Sequence, residues 1–373
     1  MMSAPAPDLV AGLAACLRGD AASLAEWSTA EILRAASWHG VTALLERRLD
    51  RRSDIPPDLQ AALQRERALG GALEMLRRRE IVRVLDALGA RALRPLLVKG
   101  SALAYTLYDD PSLRPRFDTD LLVRKEEAAA AEEVMRALGY RRPAQVTGEL
   151  VMYQVDYSRR DPSGLTHVFD FHWKISNRQA VADTLTFEDL DPGAQPVPAL
   201  GASARGSAAV PALVLACVHR VAHHSADERL IWLYDIHLLA QGLSSSDVDA
   251  FIALSRDRSV TLICADGLLA ARRAFATALP SGLLERLTPA DRTASAEPSA
   301  ALLSAEPTLA NELISDLKAV GWPQRVRLLR EHAFPPARYM RSTYMVSNPA
   351  WLPALYTHRL VRGAWRLLRG AAR

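Results

Sequence analysis

Apolar residues recur every three or four positions over Asp8–Leu17, Ala30–Leu49 and Pro57–Leu88, the period of helices that bury one stripe. Pro56-Pro57 marks a helix start, where proline is tolerated. From about residue 93 the pattern changes. Pro95–Val98 is a short apolar run, followed by a Gly-Ser step and a helical stretch, Ala102–Tyr108. Phe117–Val123 alternates like a strand, and Glu126–Leu138 is a helix closed by Gly139. Val151–Tyr157 and Val168–Trp173 read as strands joined in a hairpin through the turn Asp161–Gly164. Helical spacing returns from Ala208 to about Leu287. Thr288–Pro307, rich in Ala, Ser, Pro and Glu, reads as a loose linker or exposed loop. There is no internal repeat. The expected fold class is α+β: a helical region over 1–92, a small mixed sheet with helices over 93–200 and a second helical region over 201–373.

The alternating segments carry the chemistry. Side chains on a strand change face at every residue, so Asp118 and Asp120 share one face while Leu121 and Val123 point into a core. Asp170 and His172 likewise share a face, opposite Phe169, Phe171 and Trp173. If the two strands are neighbours, three carboxylates converge, and each raises the others' pKa. Hard cations bound by oxygen ligands remove that penalty. Two of them would clamp the attacking and leaving oxygens of an in-line displacement. Removing either Asp118 or Asp120 is therefore expected to leave the metal-free fold as stable as before, or more so.

The Gly100-Ser101 step supplies a partner for those cations. A strand-to-helix turn with glycine leaves backbone N–H groups and the positive end of a helix open to a phosphate, and Ser101 adds a hydroxyl. Arg114 and Arg116 precede the aspartates on a proline-containing loop. They either grip a triphosphate in bidentate fashion or neutralise the carboxylates. Lys99 reads as a strand-end lysine with its head in water, or as a phosphate contact. His172 stands where it would back a metal site. His219 and His223 share a helical face with His224 beside them, but Arg220 follows His219 where a zinc protease needs glutamate. A packing role, or a contact with nucleotide or acceptor, suits these histidines better than zinc.

Composition narrows the classes. A chain of 373 residues with 49% hydrophobic residues can bury a sizeable core. A net charge of +4 does not by itself indicate a nucleic-acid binder. Three widely spaced cysteines, Cys16, Cys217 and Cys264, fit a reducing cytoplasm and give neither a disulfide framework nor a zinc spacing. No apolar run of about 18 residues spans a bilayer, and the N-terminus lacks a signal-peptide pattern. Near the C-terminus, Arg359, Arg362, Arg366, Arg369 and Arg373 interleave with Leu360, Trp365 and Leu368. That is either a basic helix for RNA, anionic lipid or an acidic partner, or a solvated arginine face on a packed helix; packing is the favoured reading.

Taken together, LLVKGSALAYTLYDDPSLRPRFDTDLLV, VFDFHWKIS and CVHRVAHHSADERLIWLYDIHLLA resemble the uncharacterised bacterial nucleotidyltransferases of the NTP_transf_5 type, within the DNA polymerase beta-like superfamily. Trp38-His39-Gly40-Val41 is a weaker echo. The resemblance implies a polymerase beta-like core over 93–200, with Asp118, Asp120 and Asp170 as catalytic metal ligands for Mg²⁺ or Mn²⁺. It implies Gly100 and Ser101 as the phosphate-binding turn. The separation of seventeen positions from Ser101 to Asp118 exceeds the spacing in many polymerase beta relatives. The implied activity is two-metal transfer of a nucleoside monophosphate from a nucleoside triphosphate, ATP in first place, to an acceptor hydroxyl on a small molecule, a peptide or protein, or RNA. The alternatives are a non-catalytic nucleotide-binding module and a tRNA-modifying toxin, which should show a strongly basic groove.

Overall fold

The computed structural model describes residues 4–20, 24–50, 52–224, 228–288, 297–304 and 308–371. Four helices open the chain: α1 (Pro7–Arg18), α2 (Thr29–Trp38), α3 (Thr42–Leu49) and α4 (Pro57–Gly89). The continuous helix expected over Ala30–Leu49 is broken. Gly40 takes a left-handed φ of 69°, reachable at low cost only without a Cβ, and the chain turns there between α2 and α3. Ser28 and Glu31 start α2 with a reciprocal capping box. At about 1.5 Å per residue α4 is roughly 50 Å long.

The middle of the chain forms β1 (Leu96–Leu97), α5 (Lys99–Thr106), β2 (Thr119–Leu122), α6 (Ala128–Ala137), β3 (Gln154–Arg160), β4 (Thr166–His172), α7 (Phe187–Leu190), β5 (Gln195–Pro196) and β6 (Arg205–Gly206). These strands make one mixed six-stranded sheet in the order β3-β4-β2-β1-β6-β5. The expected hairpin is β3–β4. β4 runs parallel to β2, in a register that puts Asp120 opposite Asp170. One sheet face, with Leu121, Val123, Phe169 and Phe171, closes on Ile81, Val84, Leu85 and Leu88 of α4 and on Val134 and Met135 of α6. Burying each such side chain contributes about 1.5–3 kcal/mol, so the greasy half of each strand fixes which way the polar half points.

The helices after the sheet are α8 (Ala209–His224), α9 (Leu230–Gln241), α10 (Ser245–Asp257), α11 (Thr261–Phe275), α12 (Leu283–Leu287), α13 (Ala301–Ser304), α14 (Leu309–Ala319), α15 (Trp322–Ala333), α16 (Ala337–Thr343) and α17 (Leu352–Ala371). α8 to α11 form a second core with Leu96, Val98, Leu103 and Leu122. α1 to α3 share a third with α9, Tyr108 and Leu113. The fold is thus α+β, with one mixed sheet among many helices. Within the loose linker expected over Thr288–Pro307, residues 298–304 form helical turns. Glu297 is buried and accepts from the Thr261 and Leu262 N–H groups, capping α11. Residues 289–296 and 305–307 lie outside the described residues. All three cysteines are buried and none forms a disulfide.

Candidate active site

The site forms where the polar faces of β2 and β4 meet the first turn of α5. Asp120 is its fixed point. Its Oδ1 accepts a hydrogen bond from Lys99 Nζ at 2.8 Å and lies 2.9 Å from His172 Nε2. Its backbone N–H donates to Ser101 Oγ at 3.0 Å, and that hydroxyl in turn reaches the Asp118 carbonyl at 3.4 Å. Burial alone would raise the Asp120 pKa, but the Lys99 ammonium and the His172 hydrogen bond outweigh burial and hold the carboxyl well below the usual range. An ionised carboxylate only accepts, so the 2.9 Å contact requires the proton of His172 on Nε2. Burial and the nearby Lys99 charge lower the His172 pKa, which leaves the ring neutral. His172 therefore orients Asp120 by donating to it.

Lys99 does not hold its head in water as a strand-end lysine would. Its side chain is 9% exposed, and a left-handed φ of 52° at the start of α5 turns it back over the carboxylates. A lysine tolerates that conformation only when its surroundings hold it, here through the buried ion pair.

Asp118 and Asp170 have the opposite character. Burial, then the Asp120 charge, pushes Asp118 up to about 6. Burial, then Asp156, Asp120 and Asp118, pushes Asp170 up to about 8. The ligand atoms of Asp120, Asp170 and His172 all lie within 4.8 Å of one another, a group to which Asp118 does not belong. Asp170 Oδ1 is buried and has no hydrogen-bond partner among the described residues. Crowded carboxylates with an orphaned buried oxygen fit a divalent cation with oxygen preference.

Asp156 was not among the expected site residues. It lies opposite Asp170 in the hairpin and is the first charge after burial to perturb it. Gln154 donates to its Oδ1 at 3.0 Å.

Neither arginine of the 114–116 loop pairs with the carboxylate cluster. Arg114 is buried against Asp235 of α9, with Nη2 to Oδ2 at 2.7 Å and Nε at 3.2 and 3.3 Å from the two oxygens. Its guanidinium lies on Gly100, where a Cβ would stand 2.0 Å from Nη1. Glycine at 100 thus makes room for an arginine of the chain itself, and that cation sits beside the first turn of α5. Arg116 pairs with Glu74 of α4 at 2.8 Å and meets the Tyr105 hydroxyl at 3.1 Å. Both partners are carboxylates on helices far away in sequence. Ser101 is fully buried and engaged with backbone. His219 packs edge-on against Trp232, and the side chains of His223 and His224 lie outside the described residues. No other metal-ligating group of His, Cys, Asp and Glu occurs among the described residues.

Residues 25–276 match the model of a family described as uncharacterised nucleotidyltransferase, a span that holds every site residue named above. No curated protein matches the chain. Among the described residues, no helix is long and apolar enough to cross a membrane.

Proposed function

The chain belongs to the uncharacterised nucleotidyltransferase family, and from that premise we propose that it moves a nucleoside monophosphate from a nucleoside triphosphate to an acceptor hydroxyl. The carrying observation is the parallel register that sets Asp120 beside Asp170 under the first turn of α5, with one Asp170 oxygen unpartnered. Asp118, Asp120 and Asp170 would hold magnesium or manganese. Those ions, when bound, supply charge neutralisation at the triphosphate and at the attacking and leaving oxygens.

The chain's own groups divide the remaining work. Lys99, His172 and Ser101 immobilise Asp120, so its carboxylate need not reorganise when substrate arrives. Arg114, fixed by Asp235 beside Gly100, adds positive charge at the helix end where the triphosphate docks. Asp170, once ionised, would receive the proton of the acceptor hydroxyl. A bond forms from that oxygen to the α-phosphorus, the bond to the bridging oxygen of pyrophosphate breaks, and pyrophosphate departs with the electron pair. ATP is the first candidate for the triphosphate.

Calorimetric titration with ATP, GTP, CTP and UTP, each with and without Mg²⁺ or Mn²⁺, tests this. Binding of at least one, dependent on the metal, is expected. Folded protein that binds none of the four in the presence of metal would overturn the proposal.

A further inference from the structure

The last helices carry a charge and surface pattern unlike the rest of the chain. Residues 308–373 hold eleven Lys/Arg against three Asp/Glu, a net +8, whereas residues 1–307 hold 35 against 39, a net −4. The three acids are all engaged within the chain. Glu312 and Asp316 pair with Arg178 at 3.1 and 3.3 Å. Glu331 accepts from the backbone N–H groups of Glu149, Leu150 and Val151 at 2.9–3.1 Å. The arginines that remain are directed elsewhere. Arg330, Arg338, Arg341 and Arg362 are exposed and, among the described residues, have no acidic partner. Arg338 and Arg341 line an open groove with Ser342 and Val346.

The same segment exposes apolar side chains in register. On α15, Trp322, Val326 and Leu329 are 74%, 53% and 44% exposed at i, i+4 and i+7, which is one face, while Leu328 on the other side is buried. Phe334 and Trp351 follow, and on α17 Val361 and Trp365 repeat the i, i+4 spacing, both exposed. Tryptophan, aliphatic residues and arginine on amphipathic helices are the composition of helices seated in the interface of a bilayer. A nucleic acid would be met by the arginines and could stack on the tryptophans, but it offers nothing to Val326, Leu329 and Val361. An acyl boundary beneath anionic headgroups satisfies both sets.

We propose that α15 to α17 dock the protein on an anionic lipid surface, with Trp322, Val326, Leu329, Val361 and Trp365 entering the headgroup boundary and Arg338 and Arg341 holding lipid phosphates. This rests on residues beyond those of the nucleotide site and stands or falls separately from the transfer reaction.

Flotation of the full chain with vesicles of phosphatidylcholine alone, or mixed with phosphatidylglycerol, is the test, with tryptophan emission recorded alongside. Binding to the mixed vesicles only, weakened by salt and accompanied by a blue shift, is expected. Arg338→Gln and Arg341→Gln should each weaken vesicle binding about five-fold, from the attraction of one cation to an anionic surface. The double variant Trp322→Ser/Val326→Ser should lose the blue shift. All four side chains are exposed, so unchanged melting curves will show that the fold is kept. No binding of folded protein to anionic vesicles overturns the proposal. So does retention of RNA, or self-association through this face, in protein that ignores the vesicles.

Discussion

Asp118 and Asp120 are two residues apart in one acidic cluster, yet their asparagine variants should move stability in opposite directions. In metal-free protein Asp118 is raised from its ordinary 3.8 to about 6 by burial and by the Asp120 charge. Keeping it ionised above that pH costs the fold about two pKa units, or about 3 kcal/mol. Asp118→Asn removes the charge that is being penalised. Unfolding by urea in chelator above about pH 8 should show it more stable by about 1–3 kcal/mol. Asp120 is held far below its ordinary pKa because it is the acceptor for Lys99 and His172. Asp120→Asn strands an ammonium that is 9% exposed. Breaking one side of such a pair costs about 3–5 kcal/mol, and the lower end applies because Asp118 and Asp170 keep some attraction for Lys99. The neutrality expected for both variants from strand alternation alone therefore fails at Asp120, since alternation counted the carboxylates and missed the lysine. On the proposed reaction both variants lose transfer. Equal stability changes, or Asp118→Asn as the more damaging variant, would refute this reasoning.

Asp170 gives the pH dependence. Its folded pKa of about 8 exceeds its unfolded 3.8, so between those values the folded chain binds more protons and the residue destabilises the fold increasingly as pH rises. Buried His39 and His172 and half-buried His237 and His332, all lowered, act the other way over the lower part of that window. The measurement is thus the melting-temperature difference between Asp170→Asn and the parent in chelator: it should grow in favour of the variant from about pH 4 to about pH 8 and then level off, and a difference that shrinks would contradict it. Gly100→Ala places a methyl where Arg114 lies, 2.0 Å from Nη1, against a guanidinium pinned by Asp235. Urea unfolding should show a loss of about 3 kcal/mol from overpacking and a disturbed buried pair; a loss below about 1 kcal/mol would mean the arginine yields freely.

What the sequence disclosed and what it withheld separate along a physical line. Period-two alternation fixed the faces of Asp120, Asp170 and His172, because Leu121, Phe169 and Phe171 together enter the core against α4 and α6. The sheet and its hairpin were legible for the same reason. Asp156 was not. The reading that ends the turn at Gly164 would pair residue 160 with 165, whereas the chain closes Asp161 on Leu165 and pairs Arg160 with Thr166. A slip of one residue moves a side chain to the other face, so the partner of Asp170 depended on a loop length that composition does not give. The break at Gly40 had a signal, a glycine in a helical run, which the apolar period concealed. The partners of Arg114 and Arg116 lie 121 and 42 positions away. The available hint was Asp235, a carboxylate in the apolar run Leu230–Ile236, where burial demands a counter-charge. α17 packs on α14 and α16, and Leu360 and Trp365 keep about half of their surface exposed there. The side chains of Arg366, Leu368 and Arg369, with Arg373, lie outside the described residues.

The left-handed turn at Lys99 links these threads. No sequence rule predicts a lysine at φ 52°, and its cost is borne by the ion pair it permits. That pair drives the carboxylates apart in character. One is permanently ionised and locked in place. Two keep their protons to unusually high pH. Groups whose environments separate their proton affinities in this way can take different parts in one reaction. On the proposed reading, Asp120 serves as a rigid anchor while Asp170, with one oxygen that no side chain holds, is the group that exchanges a proton with the acceptor. Strand alternation makes the three aspartates look equivalent, and it is the cation supplied by the preceding turn that makes them different.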